Sequence, residues 1–260
     1  MSNSISFDRA ANIYDQTRPL LEPITKQGLQ AILDITGSKA HILDVGTGTG
    51  RISIPLLERN ADLIGCDLSL KMLMRLQEKF SSARIAQSDA SRLPFPSAHF
   101  DAVLTVHVMH LISPWHEALR EFRRVLVPGG VYLNVRTWAT VGTSVREQIR
   151  VFWRTGLVAQ GVDIGLPGVR DHEEFLQELR SLDARLTEAE VIRYPLTFTL
   201  REELDRMASR VSSETWNIPD PVFAASLEEL RTWVDREYGD LDQQREDEVR
   251  FVIDVARFEG

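Results

Sequence analysis

Apolar and polar positions alternate along the first half of the chain in two rhythms. Short apolar runs occur at HILDV (41–45), DLIGCD (62–67), ARIAQ (83–87), FDAVLTV (100–106) and VYLNVR (131–136). Runs of that length, bounded by glycine or polar residues, predict buried strands. Between them lie helical patterns. These are RISIPLLERN (51–60), SLKMLMRLQEKF (69–80) with Ser69 as cap, and SPWHEALREFRRVL (113–126) with Ser113 as cap and Pro114 at the first helical position. Ahead of the first strand, one helix is expected from a cap at Asp8 to about Tyr14. A second runs through KQGLQAILDI and is ended by Gly37.

Strand–helix alternation with short connections implies an α/β fold with a parallel sheet covered on both faces. Right-handed crossovers make it a doubly wound, Rossmann-like sheet. After Arg136 the rhythm changes. Helical patterns at SVREQIRVFW, HEEFLQELRSL, LREELDRMASRV and ASLEELRTWVDREY surround one strand-like run, VIRYPLTFTL, while SSETWNIPDPVF reads as a loop. The expected organisation is an N-terminal helical lid (1–40), a core (41–137), a mostly helical cap with a sixth strand (138–245) and a closing strand of the core (246–260), drawn from EVRFVIDVARF.

Charge narrows the partners. The chain carries a formal net charge of −8, which repels a phosphate backbone, so no nucleic-acid partner is expected. The arginines of ALREFRRVL (Arg120, Arg123, Arg124) read as the solvated face of a helix. The single cysteine, Cys66, lies in an apolar run and reads as a buried strand residue, which suits a reducing, cytoplasmic setting. The first residues lack a basic segment followed by an apolar core, and no apolar run reaches the ~18 residues of a membrane span, so no membrane insertion is expected. No Cys/His cluster suggests a metal site.

The informative segment is ILDVGTGTGRI (42–52), in which Asp44 closes a strand and Gly46, Gly48 and Gly50 alternate before a helix. Glycines there admit positive φ and close approach of a ligand at the carboxyl ends of the strands. A dinucleotide fingerprint would place its third glycine at position 51, which is Arg51, and the G-K-[ST] ending of a phosphate loop is missing. Acids recur at the next two strand ends. Asp67 is placed to accept ribose hydroxyls, and Asp89 to accept from an exocyclic amine. An acid at each of three strand ends suits a nucleoside with an amine better than a ligand rich in phosphate.

The blocks ILDVGTGTGRI, GCDLSLKML, QSDASRLPFPSAHFDAVLTVHVMHLI and LREFRRVLVPGGVYL together resemble the class I S-adenosylmethionine-dependent methyltransferases. The likeness is to the small-molecule branch that includes ubiquinone and menaquinone biosynthetic enzymes, and it covers about residues 5–136. It implies strand order 3-2-1-4-5-7-6 with the seventh strand antiparallel, and S-adenosylmethionine as cofactor with S-adenosylhomocysteine as product. It also implies that Gly46, Thr47, Gly48 and Gly50 lie along the cofactor. Asp67 would take the ribose, Leu68 and Met72 would pack near adenine, and Asp89 with Ala90 would meet its edge. Asp44 would position the loop or the methionine amine. Val106 and His107 would face the methionine moiety and the acceptor. FDRAANIYDQTRP resembles a stretch in which Tyr14 and Arg18 close over the cofactor.

Methyl transfer from a sulfonium is an in-line displacement, so positioning and exclusion of water carry most of the catalysis. A base is needed only where a small-molecule acceptor must lose a proton. His107 and His110 are the candidates for it. The end of the fourth strand lacks the N/D-P-P-Y sequence of enzymes that methylate bases. Trp138, Phe152, Trp153, Trp216 and Phe223 are candidate linings of an acceptor pocket. Two other readings stay open on sequence: a nicotinamide-dependent oxidoreductase on the related fold, and a non-catalytic cofactor-binding protein.

Overall fold

Among the residues that the computed structural model describes, 4–12, 14–17, 22–139 and 144–259, there are seven strands and nine α-helices. The strands are β1 (His41–Val45), β2 (Asp62–Asp67), β3 (Arg84–Gln87), β4 (Phe100–Val106), β5 (Leu126–Ala139), β6 (Ala184–Phe198) and β7 (Arg245–Phe258). The helices are α1 (Tyr14–Thr17), α2 (Leu29–Thr36), α3 (Ser53–Leu57), α4 (Leu70–Lys79), α5 (Trp115–Val125), α6 (Val145–Ala159), α7 (His172–Ser181), α8 (Leu200–Ala208) and α9 (Asp220–Tyr238). The sheet order is β3-β2-β1-β4-β5-β7-β6, as expected.

β1 lies between two parallel neighbours, with Asp44 level with Gly65 of β2 and Leu104 of β4. It is buried on both faces, which is why its sequence is an apolar run rather than an alternation. β7 runs against β5. Asp254 meets Asn134 and Arg136 late in β5, whereas the carbonyl of Glu259 takes a bond from Arg123, just before β5 begins.

The chain folds as two units, 1–137 with 166–192 and 251–260, and 138–165 with 193–250. In the first, Phe100, Phe122, Tyr132 and Phe175 form a core against α5 and α7. Cys66 is buried there, and desolvation pushes its thiol up to about 12. In the second, Ile149, Trp153, Leu204 and Leu230 tie α6, α8 and α9 together. The arginines of α5 are matched rather than gathered into a basic patch. Arg124 holds Glu121 at 2.7 Å, and Arg120 stands 3.5 Å from Glu178.

Three local expectations need correction. Asp8 caps no helix; its carboxylate accepts the Ser69 hydroxyl instead, residues 8–12 form turns, and α1 starts at Tyr14. Pro114 keeps an extended ψ of 119° and stands at the cap position of α5, so the helix begins one residue later and Ser113 is not its cap. Part of the SSETWNIPDPVF stretch is helical. Pro221 falls in the first turn of α9, where its missing N–H costs nothing.

Candidate functional site

Asp44 is 2% exposed beneath the turn that follows β1. Its carboxylate accepts the hydroxyl of Ser53, which is bonded in turn to Thr47. Desolvation, with the nearby Asp67 charge adding to it, pushes Asp44 up to about 6 against the lowering effect of those hydroxyls. The charge therefore sits under the loop and orders it through two short side chains.

The three loop glycines have positive φ, but for different reasons. A Cβ at Gly46 would lie 2.5 Å from Val108, and one at Gly50 would lie 2.8 Å from Leu76. A Cβ at Gly48, where φ is +58°, would meet nothing within 4 Å. Gly46 and Gly50 are thus demanded by packing, while Gly48 leaves open space above the turn.

Asp67 ends β2, and its two oxygens accept from Gly48 N–H (2.9 Å) and Ser69 N–H (2.8 Å). Burial, together with the charge of Asp8, raises its pKa despite those bonds. Ser69 caps α4 as expected, accepting from Met72 N–H at 3.1 Å. Met72 is buried and Leu68 half-buried. At the end of β3, Asp89 closes a tight turn, its Oδ1 accepting from Ser91 N–H (2.9 Å) and Oγ (2.8 Å). Ala90 beside it packs on the core.

β4 ends at Val106. His107 follows at φ +53°, a left-handed conformation costly for a residue with a Cβ, and its N–H donates to Val135 at 3.2 Å. His110 lies one turn further on, in a short 3-10 turn over Met109–Leu111. Its carbonyl takes the N–H of Gly168 at 3.0 Å.

The N-terminal segment lies against this loop and α4. Asp8 accepts from Ser69, Asn12 from Arg75 (2.5 Å), and Asp15 from Thr49 (2.5 Å) and Lys79 (2.8 Å). Tyr14 packs edge-on to Phe7 at 5.9 Å. Arg18 lies outside the described residues. The sequence pointed to Tyr14 and Arg18, offered Asp8 only as a helix cap and gave no sign of Asp15; the partners of these two acids are 61 and 34 positions away.

A second polar group was also missed. Asp254 of β7, with its side chain 4% exposed, accepts from Asn134 (2.8 Å) and Arg136 and meets His172 of α7 at 3.2 Å. Burial raises its pKa, but His172, Arg136 and Asn134 outweigh that and hold it below the usual carboxylate value. The chain continues inward through Asn134 and Thr105 to the buried hydroxyl of Tyr132. The available signal was a lone Asn in VYLNVR and a lone Asp in FVIDVA, polar residues in otherwise apolar strands.

Of the aromatic candidates, Trp153 and Phe223 are core. Trp153 donates to Ser226 at 3.0 Å and meets Phe223 edge-on. Trp216 donates to the Arg210 carbonyl at 3.0 Å. Phe152 stacks on Trp233 at 4.2 Å beside a groove of about 620 Å³ between α6 and α9. The side chain of Trp138 lies outside the described residues.

Residues 43–134 match the family model described as a methyltransferase domain. The demethylmenaquinone methyltransferase of Beutenbergia cavernae is 33% identical over 127 residues, covering 48% of this chain and 53% of the relative. The chain spans about half the length of the curated relatives it matches first. Among solved structures, an S-adenosylmethionine-dependent methyltransferase from Thermotoga maritima superposes with TM-score 0.56 at 16% identity, covering 97% of this chain and 98% of that one. A phosphoethanolamine N-methyltransferase of Haemonchus contortus, solved with S-adenosylhomocysteine, gives TM-score 0.55 at 16% identity over 98% of this chain and 58% of that one. These likenesses show the fold. Residues 43–134 thus match a methyltransferase domain, and the sequence there is similar to the demethylmenaquinone methyltransferases.

Proposed function

We propose that the protein is an S-adenosylmethionine-dependent methyltransferase acting on a small-molecule acceptor. The observation that carries this reading is the gathering of Asp8, Asp44 and Asp67 around a turn left open at Gly48. The charge of Asp67 raises the pKa of Asp44, and that of Asp8 raises the pKa of Asp67. Carboxylates so gathered disfavour the pyrophosphate of a dinucleotide and suit a ligand bearing an ammonium and a sulfonium. The donor set therefore fits the cofactor.

In this reading Gly46, Thr47, Gly48 and Gly50 follow the cofactor. Asp67 takes the ribose, Leu68 and Met72 pack on adenine, and Asp89 with Ala90 reads its edge. Val106 and His107 line its methionine end, and Tyr14 and Arg18 close over it. Asp44 acts from below by holding Ser53 and Thr47. The bound cofactor supplies a methyl group already activated by its sulfonium. The chain's own residues position the acceptor and exclude water, and His107 or His110 accepts a proton from an acceptor that must lose one. The acceptor class we favour is apolar or aromatic, like the quinone in the relative's name, and a cytoplasmic setting is favoured by the single, buried Cys66.

Calorimetric titration tests the reading. Wild type is expected to bind S-adenosylmethionine and S-adenosylhomocysteine at micromolar Kd and NADH not at all, and Asp67→Ala to bind about 100-fold more weakly. Failure of folded wild type to bind either adenosyl compound overturns it.

Asp44 gives the expected pH dependence. Its pKa is raised in the folded chain, from 3.8 to about 6. Its contribution to stability is therefore fully present below 3.8 and is lost as pH rises through about 6, a difference of about 3 kcal/mol. A cationic ligand favours the ionised form. Cofactor affinity should rise about fivefold between pH 5 and 6, reach about tenfold by pH 7 and level off there. Asp44→Asn should flatten that profile and raise the stability of the free protein at pH 7. An unchanged profile in the variant removes Asp44 from the site.

A further inference from the structure

In the second unit, guanidinium groups crowd locally around one buried carboxylate, that of Glu203. Arg146, Arg150 and Arg154 stand at four-residue spacing along α6, on one face. Arg154 is matched with Glu214 at 3.0 Å. The other two approach Glu203 of α8, whose side chain is only 2% exposed.

Glu203 is already occupied. Arg206 grips both its oxygens, with Nε 2.9 Å from Oε2 and Nη2 on Oε1, and Arg146 Nε adds a bond to Oε2 at 3.1 Å. Arg150 is left over. Its Nε stands 3.8 Å from Oε1, beyond hydrogen-bonding reach, with its side chain 34% exposed. Around Glu203, among the described residues, three guanidiniums meet one carboxylate.

That surplus has a measurable sign. Burial raises the pKa of Glu203, but Arg206, Arg146 and Arg150 outweigh it and hold the group low. Burial and repulsion from Arg206 and Arg146 press the Arg150 guanidinium downward. Glu203 and Glu214 act the other way on Arg150 but do not outweigh this, and Glu214 is itself held by Arg154. Half-buried like charges in excess of their counter-charges are unfavourable unless a further anion arrives. The surplus stands out in a chain whose net charge is −8.

We propose that Arg150, flanked by Arg146 and Arg206, is the gripping residue of a site for an oxyanion, a carboxylate or phosphate borne by a small molecule. The planar fork of arginine matches either group with two parallel bonds, and Arg150 has that fork uncommitted to Glu203. The site belongs to the second unit and does not depend on the methyl-transfer reading, which concerns the glycine turn.

The test uses full-length wild type, Arg150→Gln and Arg150→Lys. Thermal melts and calorimetry are run with inorganic phosphate and with succinate, each against chloride at equal ionic strength. At about 20 mM, at least one oxyanion is expected to raise the wild-type Tm by about 5 °C beyond chloride. Arg150→Gln should weaken binding about tenfold or more, and Arg150→Lys by less, since a point charge replaces the fork. The anion-free Tm of Arg150→Gln should stay level or rise, because a like charge is gone. A response to phosphate alone, or to succinate alone, assigns the ligand's charged group. The proposal fails if neither anion outdoes chloride, if Arg150→Gln responds like wild type, or if that variant melts several degrees lower without anion, as loss of a structural ion pair would require.

Discussion

Gly46→Ala should lose about 3 kcal/mol of stability, whereas Gly48→Ala should lose about 1 kcal/mol and still bind its ligand at least tenfold more weakly. Both positions have positive φ, which costs a residue with a Cβ about 1–2 kcal/mol. Only at Gly46 does the added carbon also strike a neighbour, Val108, at 2.5 Å, and overpacking adds about 1–3 kcal/mol. Urea denaturation gives both stabilities. The double variant Gly46→Ala/Val108→Ala separates the two contributions. Relief of the clash should make it more stable than the sum of the single losses predicts, a coupling of about 1 kcal/mol or more. At Gly48 the open space is the feature under test, and calorimetry with S-adenosylhomocysteine reads it. Equal losses of stability at the two positions would show that the turn is built by packing throughout, with no place kept for a ligand.

Asp254→Ala should be the other severe change, costing about 3–5 kcal/mol in urea denaturation at pH 7. The loss comes from what stays behind. Arg136, with its side chain 16% exposed, keeps Glu188 but loses its buried partner, and the amide of Asn134 loses its acceptor. The folded pKa of Asp254 is depressed, so its stabilisation is present above the unfolded value near 3.8 and disappears as pH falls through the folded value. Wild type and variant should therefore converge in stability toward strongly acid pH. His172→Ala removes a half-exposed partner and should cost less than about 1 kcal/mol. A mild Asp254→Ala phenotype would mean that water takes over the bonds of the carboxylate.

Legibility in the sequence followed the range of the interactions. The parallel strands announced themselves because burial on both faces writes a short apolar run, and β1 and β4 could be placed to the residue. Ser69 was legible as a cap because its bond is local, to Met72. The acids at the ends of β1, β2 and β3 were legible because a carboxylate closing an apolar run is conspicuous. What escaped was long-range. Asp254 and Asn134 are 120 positions apart, and nothing near either one names the other. Arg150 resembled any helix-surface arginine until α8 placed Arg206 and Glu203 beside it. The roles of the glycines divided only once Val108 and Leu76 were seen against Gly46 and Gly50.

The N-terminal segment works as a ruler. Asp8, Asn12 and Asp15 meet Ser69, Arg75 and Lys79 in the same order along α4, so the two stretches are read against each other step by step. Each contact alone is polar, partly wet and replaceable. Their shared spacing is not, because adding or removing one residue between 8 and 15 would shift every later side chain past its partner while leaving the composition nearly untouched. A change of length in this stretch should therefore disturb several contacts at once, where an exchange at Asn12 disturbs one.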